Sequence, residues 1–126
     1  IVSEQSQDFP PHDPRVVARK HRYAYTSWLD SGSTCKTDME TGEIVLHDHG
    51  EGQFGGEPLF VPREDSSDEE DGWVMVCVND VNQGPAELVI LDANDITGKP
   101  VARIHLPQRV PDGFHGSWIP DCAMPY

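Results

Sequence analysis

Six histidines carry most of the chemistry this sequence could perform: His12, His21, His47, His49, His105 and His115. Neutral imidazole is the commonest protein donor to iron, copper and zinc, although a lone histidine in a β-rich chain is more often a hydrogen-bonded structural residue. Two contexts stand out. In His47-Asp48-His49 the two imidazoles would lie on one side of an extended strand and could converge on one metal; the competing reading is a solvated turn. In Leu106-Pro107-Gln108-Arg109-Val110-Pro111-Asp112-Gly113-Phe114-His115-Gly116, Pro111 stiffens the approach while Gly113 and Gly116 permit tight backbone paths. His115 is therefore positioned rather than merely exposed, with a structural role as the alternative to a ligand.

The other reactive side chains point to less. The run 64–71 holds six carboxylates in eight residues, and such packed like charges predict a solvated, mobile loop between strands. Calcium binding is its functional rival, but the glycine-centred spacing of an EF-hand loop is missing. Cys35, Cys77 and Cys122 are odd in number, unevenly spaced and without a C-x-x-C pair, which favours a reducing compartment, cytoplasm or plastid, over a disulfide scaffold. Cys77 lies in an apolar run and reads as a small buried hydrophobe.

Composition narrows the partners. Nine Lys plus Arg against 22 Asp plus Glu give a net charge of −13 over 126 residues, with no basic cluster to neutralise phosphate, so nucleic acid is excluded as the main partner. No apolar run approaches the roughly 18 residues of a membrane-spanning helix, so the chain reads as soluble. Residue 1 is Ile1, and the opening residues have neither the basic nor the apolar stretch of a signal peptide. A piece of a longer chain is expected.

The elements that must position these residues are strands. Short runs rich in Val, Ile, Tyr, Trp and Phe recur between turn signals, and no apolar pattern holds a 3.6-residue period for three turns. Candidate strands are 22–28, 34–38, 43–47, 58–61, 72–80, 86–92 and 101–106. Glu40-Thr41-Gly42 and Asn82-Gln83-Gly84-Pro85 are hairpin signals, because Gly and Asn accept positive φ. Residues 73–78 and 88–91 are apolar throughout, which predicts a hairpin buried on both faces and further protein around it. An all-β chain of this spacing fits a sandwich, a barrel or about two blades of a propeller.

Two resemblances bear on the histidines. His47-Asp48-His49 resembles the metal-binding motif of the cupins, a double-stranded β-helix family, in which it would share a metal with His115 as a cupin-type metal dioxygenase. The spacing departs from that motif: Glu51 follows His49 with only Gly50 between, and Pro111-Asp112-Gly113-Phe114-His115 is one residue short. The segment around His115 resembles instead the C-terminal signature of the carotenoid cleavage oxygenases, which include apocarotenoid and lignostilbene-type dioxygenases. Further stretches agree in order: Asp8-Phe9-Pro10 with Asp13-Pro14-Arg15; His21-Arg22-Tyr23-Ala24-Tyr25; Lys36-Thr37-Asp38 with Thr41-Gly42; Gly56-Glu57-Pro58-Leu59-Phe60-Val61-Pro62-Arg63; Glu70-Asp71-Gly72-Trp73; Glu87-Leu88-Val89-Ile90-Leu91-Asp92-Ala93; and Pro100-Val101-Ala102-Arg103-Ile104-His105-Leu106-Pro107. The match spans almost the whole chain.

The resemblance implies that residues 1–126 are a single partial domain, the C-terminal blades of a seven-bladed β-propeller whose non-haem Fe(II) is held by four histidines and three outer glutamates. His115 is then the one metal ligand in this chain. Glu57 is an outer carboxylate, as is Asp8, one methylene shorter than the glutamate common before Phe-Pro. The implied reaction is oxidative cleavage by O₂ of a conjugated double bond in a carotenoid, apocarotenoid or stilbene-like substrate to carbonyl products, with any peripheral membrane contact made by parts outside this chain. The alternative is a non-catalytic propeller module acting through its acidic loop. One imidazole of four is expected to hold no stoichiometric iron on its own, and tight binding in a metal titration of residues 1–126 would favour the cupin reading.

Overall fold

The computed structural model describes residues 4–113 and 115–121; Ile1, Phe114 and Cys122 lie outside the described residues. Apart from one 3-10 turn, Pro14–Val16, the regular structure is strand: β1 Gln7–Asp8, β2 Tyr23–Trp28, β3 Ser33–Asp38, β4 Ile44–His47, β5 Gln53–Gly55, β6 Leu59–Pro62, β7 Gly72–Asp80, β8 Glu87–Asp92 and β9 Ala102–His105. The seven expected strands are all present with ends shifted by a residue or so. The two unexpected ones, β1 and β5, are too short for alternation to show. No helix among the described residues is long and apolar enough to cross a membrane.

Every pairing is antiparallel, and the strands form two sheets in the orders β1-β2-β3-β4 and β5-β7-β8-β9, with β6 also on β7. The β3–β4 hairpin closes as expected: Gly42 takes φ 76° and its N–H reaches the Asp38 carbonyl at 2.8 Å. At the β7–β8 hairpin the left-handed residue is Gln83, at φ 70°, rather than Asn82 or Gly84. Asp80 explains this, because its Oδ1 accepts the Asn82 N–H at 2.7 Å and its carbonyl accepts Gln83 N–H at 3.1 Å, so the turn is built one residue earlier.

Each sheet starts at one edge and meanders away from it. In the second sheet that edge is a broken strand. β5 pairs Gly55 with Val78 and β6 pairs Leu59 with Met75, so four residue steps face three and the edge carries a β-bulge. Gly56 donates its N–H to the Cys77 carbonyl at 2.9 Å, and Pro58 has no N–H to give, so the ladder lapses at the residue between them, Glu57.

The core lies between the sheets: Tyr25 from the first, stacked on Phe60 at 5.5 Å, with Val74, Val76, Val78, Val89 and Leu91 from the second, closed by Ala93 and Ile96. The β7 residues alternate between fully buried and half-buried, so the hairpin covers one face completely and the other, with Met75, Cys77 and Leu88, only in part. This differs from the expected burial on both faces. A continuous apolar run can be imposed by neighbours that this chain does not itself supply.

Sheet one meets that apolar face with polar side chains. All six residues of β3 are buried, yet they are Ser, Thr, Cys, Lys, Thr and Asp. Lys36 donates to the Ala93 carbonyl at 2.6 Å, pairs with Glu70 and lies 4.5 Å from the Tyr23 ring centroid. Asp38 is paired with Arg22 at 2.7 Å, which holds its carboxyl well below the usual range. Burial, and then the bond to Glu70, push Tyr23 up to about 12.

The expectation of a solvated acidic loop holds for Glu64, Asp65 and Asp68, which are exposed, and is corrected for Glu69, Glu70 and Asp71, which are half-buried and paired. Glu69 accepts the Arg22 backbone N–H at 2.7 Å, Asp71 pairs with Arg63 at 2.8 Å, and Arg15 donates to the carbonyls of Ser66 and Asp68. The loop is fastened because Lys36 of β3, Arg63 and the Arg22 N–H meet three of its carboxylates while Arg15 takes two of its backbone carbonyls. The buried pair generates a stability test. Lys36→Met strands Glu70 against an apolar core and is expected to lower the unfolding free energy by about 3 kcal/mol in urea titrations. The double change Lys36→Met with Glu70→Gln is expected to recover more than half; equal losses would assign the cost to packing instead.

Candidate metal centre

Glu57, freed from the ladder at the bulge, is the hub of the site. Its side chain is 14% exposed, its Oε1 lies 3.3 Å from His115 Nδ1, and its Oε2 accepts the Gly116 N–H at 2.5 Å. An ionised carboxylate can only accept, so a neutral imidazole paired with it carries its proton on Nδ1 and keeps its lone pair on Nε2. This is how an outer carboxylate prepares a ligand: it fixes the tautomer, orients the ring and raises its basicity toward a metal.

His115 reaches Glu57 from the far edge of the sheet. After β9 the chain is pinned by Leu106 N–H to the Ala86 carbonyl at 2.9 Å and by Ala86 N–H to that of Gln108 at 3.2 Å. It is then tied to β7 through Asn79 Nδ2, which donates to Asp112 Oδ1 at 3.2 Å. Between this returning segment and the half-buried face of the second sheet lies a cavity of about 550 Å³. Its wall includes Phe54, Leu59, Met75, Leu88 and Trp118, with Glu57 and His115 among the few polar groups on it.

Asp8 belongs to the same edge, on the first strand of the first sheet, but does not touch a histidine of this chain. Its Oδ1 accepts the N–H of its own neighbour, Phe9, at 2.7 Å. Phe9 sits at φ 55°, a left-handed backbone that costs a non-glycine residue about 1–2 kcal/mol. Its ring meets the His115 imidazole edge to face, centroids 5.9 Å apart at 83°. Sequence reasoning quoted Phe9 only within a motif. A residue preceding proline is biased toward extended backbone, so the signal in Phe9-Pro10 pointed the other way.

The remaining histidines are placed apart from this cluster. His47 and His49, expected in a solvated turn, are 6% and 5% exposed. His47 Nδ1 donates to the Ile96 carbonyl at 2.7 Å and His49 Nε2 shares a hydrogen bond with Thr34 Oγ1 at 2.9 Å. Gly55 makes room for His49, since a Cβ there would stand 2.8 Å from its Nε2. The shared metal of the cupin reading is not built: the sheets are meanders rather than a double-stranded β-helix, and of the two rings His47 ties β4 to the Ile96 carbonyl while His49 bonds back to β3 of its own sheet. His12 and His21 stack at 4.7 Å, and His105 lies 3.0 Å from Glu87. Among the described residues no three His, Cys, Asp or Glu side chains are grouped to hold a metal, so a metal at His115 would need donors from elsewhere.

Residues 1–120 match the family model described as retinal pigment epithelial membrane protein. A carotenoid 9,10(9',10')-cleavage dioxygenase of Pisum sativum is 36% identical over 94% of this chain and 25% of its own length. The apocarotenoid-15,15'-oxygenase of Synechocystis sp. is 36% identical over 88% of this chain and 24% of its own. A solved Synechocystis apocarotenoid oxygenase superposes with a TM-score of 0.89 at 34% identity, covering 94% of this chain and 26% of that one, and a cobalt-substituted form matches equally well. The chain thus spans about a quarter of the length of these relatives. The two meander sheets are blades of a β-propeller, the architecture of these oxygenases.

Buried His49 sets a pH dependence. Burial, then the neighbouring His47 and Arg103, push His49 down to about 4. Between that value and the ordinary imidazole pKa of about 6.5 the unfolded chain binds a proton that the folded chain refuses, so stability falls as pH falls through this window. Urea midpoints are expected to be flat above pH 7 and to decline toward pH 4.5, with a loss on the order of 2–3 kcal/mol from this group. His49→Gln should flatten the decline; an unchanged slope would place the sensitivity elsewhere.

Proposed function

This chain belongs to the family of retinal pigment epithelial membrane protein and the carotenoid cleavage oxygenases, and from that premise we propose that it is part of an Fe(II)-dependent dioxygenase that cleaves a conjugated double bond of a carotenoid or apocarotenoid with O₂, giving carbonyl products. The observation that carries the reading is Glu57 holding His115 Nδ1 at 3.3 Å beside an apolar cavity of about 550 Å³. The residues suit the metal: a neutral imidazole with its second nitrogen committed to a carboxylate is a ready donor through Nε2. The iron, when bound, supplies the site at which O₂ and the polyene meet.

His115 presents one lone pair, and three further histidines from outside this chain complete the set. Glu57 keeps that lone pair on Nε2 and, through Gly116 N–H, fixes the backbone that carries the ring. Asp8 has one oxygen taken by Phe9 N–H, so an outer-sphere bond to a histidine elsewhere in the protein falls to the other. Phe54, Leu59, Met75 and Leu88 hold the hydrocarbon and exclude water, which concentrates an apolar substrate against the ligand. The chain is one stretch of a propeller domain continued by residues beyond it, and a stilbene-like substrate would use the same wall.

The test uses the full-length protein. His115→Ala is expected to remove most of the bound iron and all measurable double-bond cleavage. Glu57→Gln, which keeps the shape but loses the charge, is expected to cost about 10- to 100-fold in iron affinity or turnover. Wild-type iron content and product yield in His115→Ala would overturn the proposal.

A further inference from the structure

We infer that Phe9 is a positioning residue for the His115 imidazole, setting the plane of the ring where Glu57 sets only one of its atoms. The inference rests on the reading of His115 as a ligand and adds a residue to it. A single hydrogen bond at 3.3 Å locates Nδ1 and leaves the imidazole free to swing about that contact. One such bond leaves the plane of the ring unset, so a second contact is needed to fix it.

Phe9 supplies that constraint. Its ring stands at 83° to the imidazole with centroids 5.9 Å apart, the edge-to-face geometry that aromatic quadrupoles favour. An imidazole that swings loses this contact, and the direction of Nε2 turns with the ring plane. The two constraints come from different sheets, Glu57 from the second and Phe9 from the first, so the ring is held across the seam between blades.

The backbone of Phe9 is an outlier in the right place. The other non-glycine residues with positive φ, Ala18, Asp65 and Gln83, are exposed loop positions with small or polar side chains, whereas Phe9 is half-buried, aromatic and on the cavity wall. Asp8 holds it there, since Oδ1 accepts the Phe9 N–H at 2.7 Å. Strain that persists beside a candidate ligand, fastened by its own hydrogen bond, points to a required side-chain direction.

Glycine separates the two explanations of this outlier. Phe9→Gly removes the ring but favours the left-handed backbone, so the variant is expected to fold with an unchanged melting temperature. If Phe9 positions the ligand, that well-folded variant of the full-length protein should bind Fe(II) roughly two- to ten-fold more weakly, the equilibrium equivalent of one aromatic pair. Its nitric oxide adduct should also show altered rhombicity by electron paramagnetic resonance. Phe9→Leu should share both changes, and Phe9→Tyr should restore wild-type affinity and spectrum. Wild-type values in the Gly and Leu variants, with iron bound normally by the parent, would overturn this inference alone. A parent protein whose iron is indifferent to His115→Ala would overturn the ligand reading and this inference with it.

Discussion

The two-armed grip of the Glu57 carboxylate is the contact on which the site's geometry depends. One oxygen meets His115 Nδ1 and the other accepts the N–H of Gly116, joining positions 58 and 59 residues apart. The grip exists only because the edge strand is interrupted. A regular strand through 53–62 would commit every other N–H to β7 and alternate each side chain strictly between faces. The extra residue at the bulge, with Pro58 beyond it, releases Glu57 from that alternation.

Around this contact the fold repeats one design: each sheet begins at an edge strand and meanders outward. Asp8 lies on the first strand of one sheet and Glu57 beside the first strand of the next, and the chain returns to that edge a third time with His115. The sheets are held in mutual register by a polar layer that is unusual for a core. β3 is buried along its whole length and buries a lysine, whose ammonium is answered by Glu70 and the Ala93 carbonyl from the second half of the chain. Lys36 thereby ties β3 to two groups outside its own sheet, the Glu70 carboxylate and the Ala93 carbonyl.

Much of this was legible in the residues. The β2–β4 meander followed from alternation and Gly42, and β7 and β8 from their apolar runs, because those signals are local. Family resemblance names Glu57 and His115 as site residues without saying which histidine the carboxylate serves, and the structure pairs the two at 3.3 Å. What stayed hidden was non-local. His47 and His49 read as polar and solvated, yet the Ile96 carbonyl and Thr34 hydroxyl that make burial tolerable come from positions no window around them contains. The acidic run 64–71 likewise reads as mobile until Arg15, Arg22 and Lys36 are seen to reach it. Phe9 was masked by its own neighbour, since Pro10 biases against the backbone it adopts.

The long separation between Glu57 and His115 also has a consequence for biosynthesis. A ribosome adding about 5–20 residues per second makes Glu57 several seconds before His115 emerges. During that interval the bulge can form on β7, because β5, β6 and β7 are neighbours in the chain, but its carboxylate has neither of the N–H groups that later occupy it. Water must serve in their place. His115 therefore arrives at a nascent chain whose acceptor is already presented, and the segment that carries it meets Glu57 by displacing solvent rather than by reorganising the sheet.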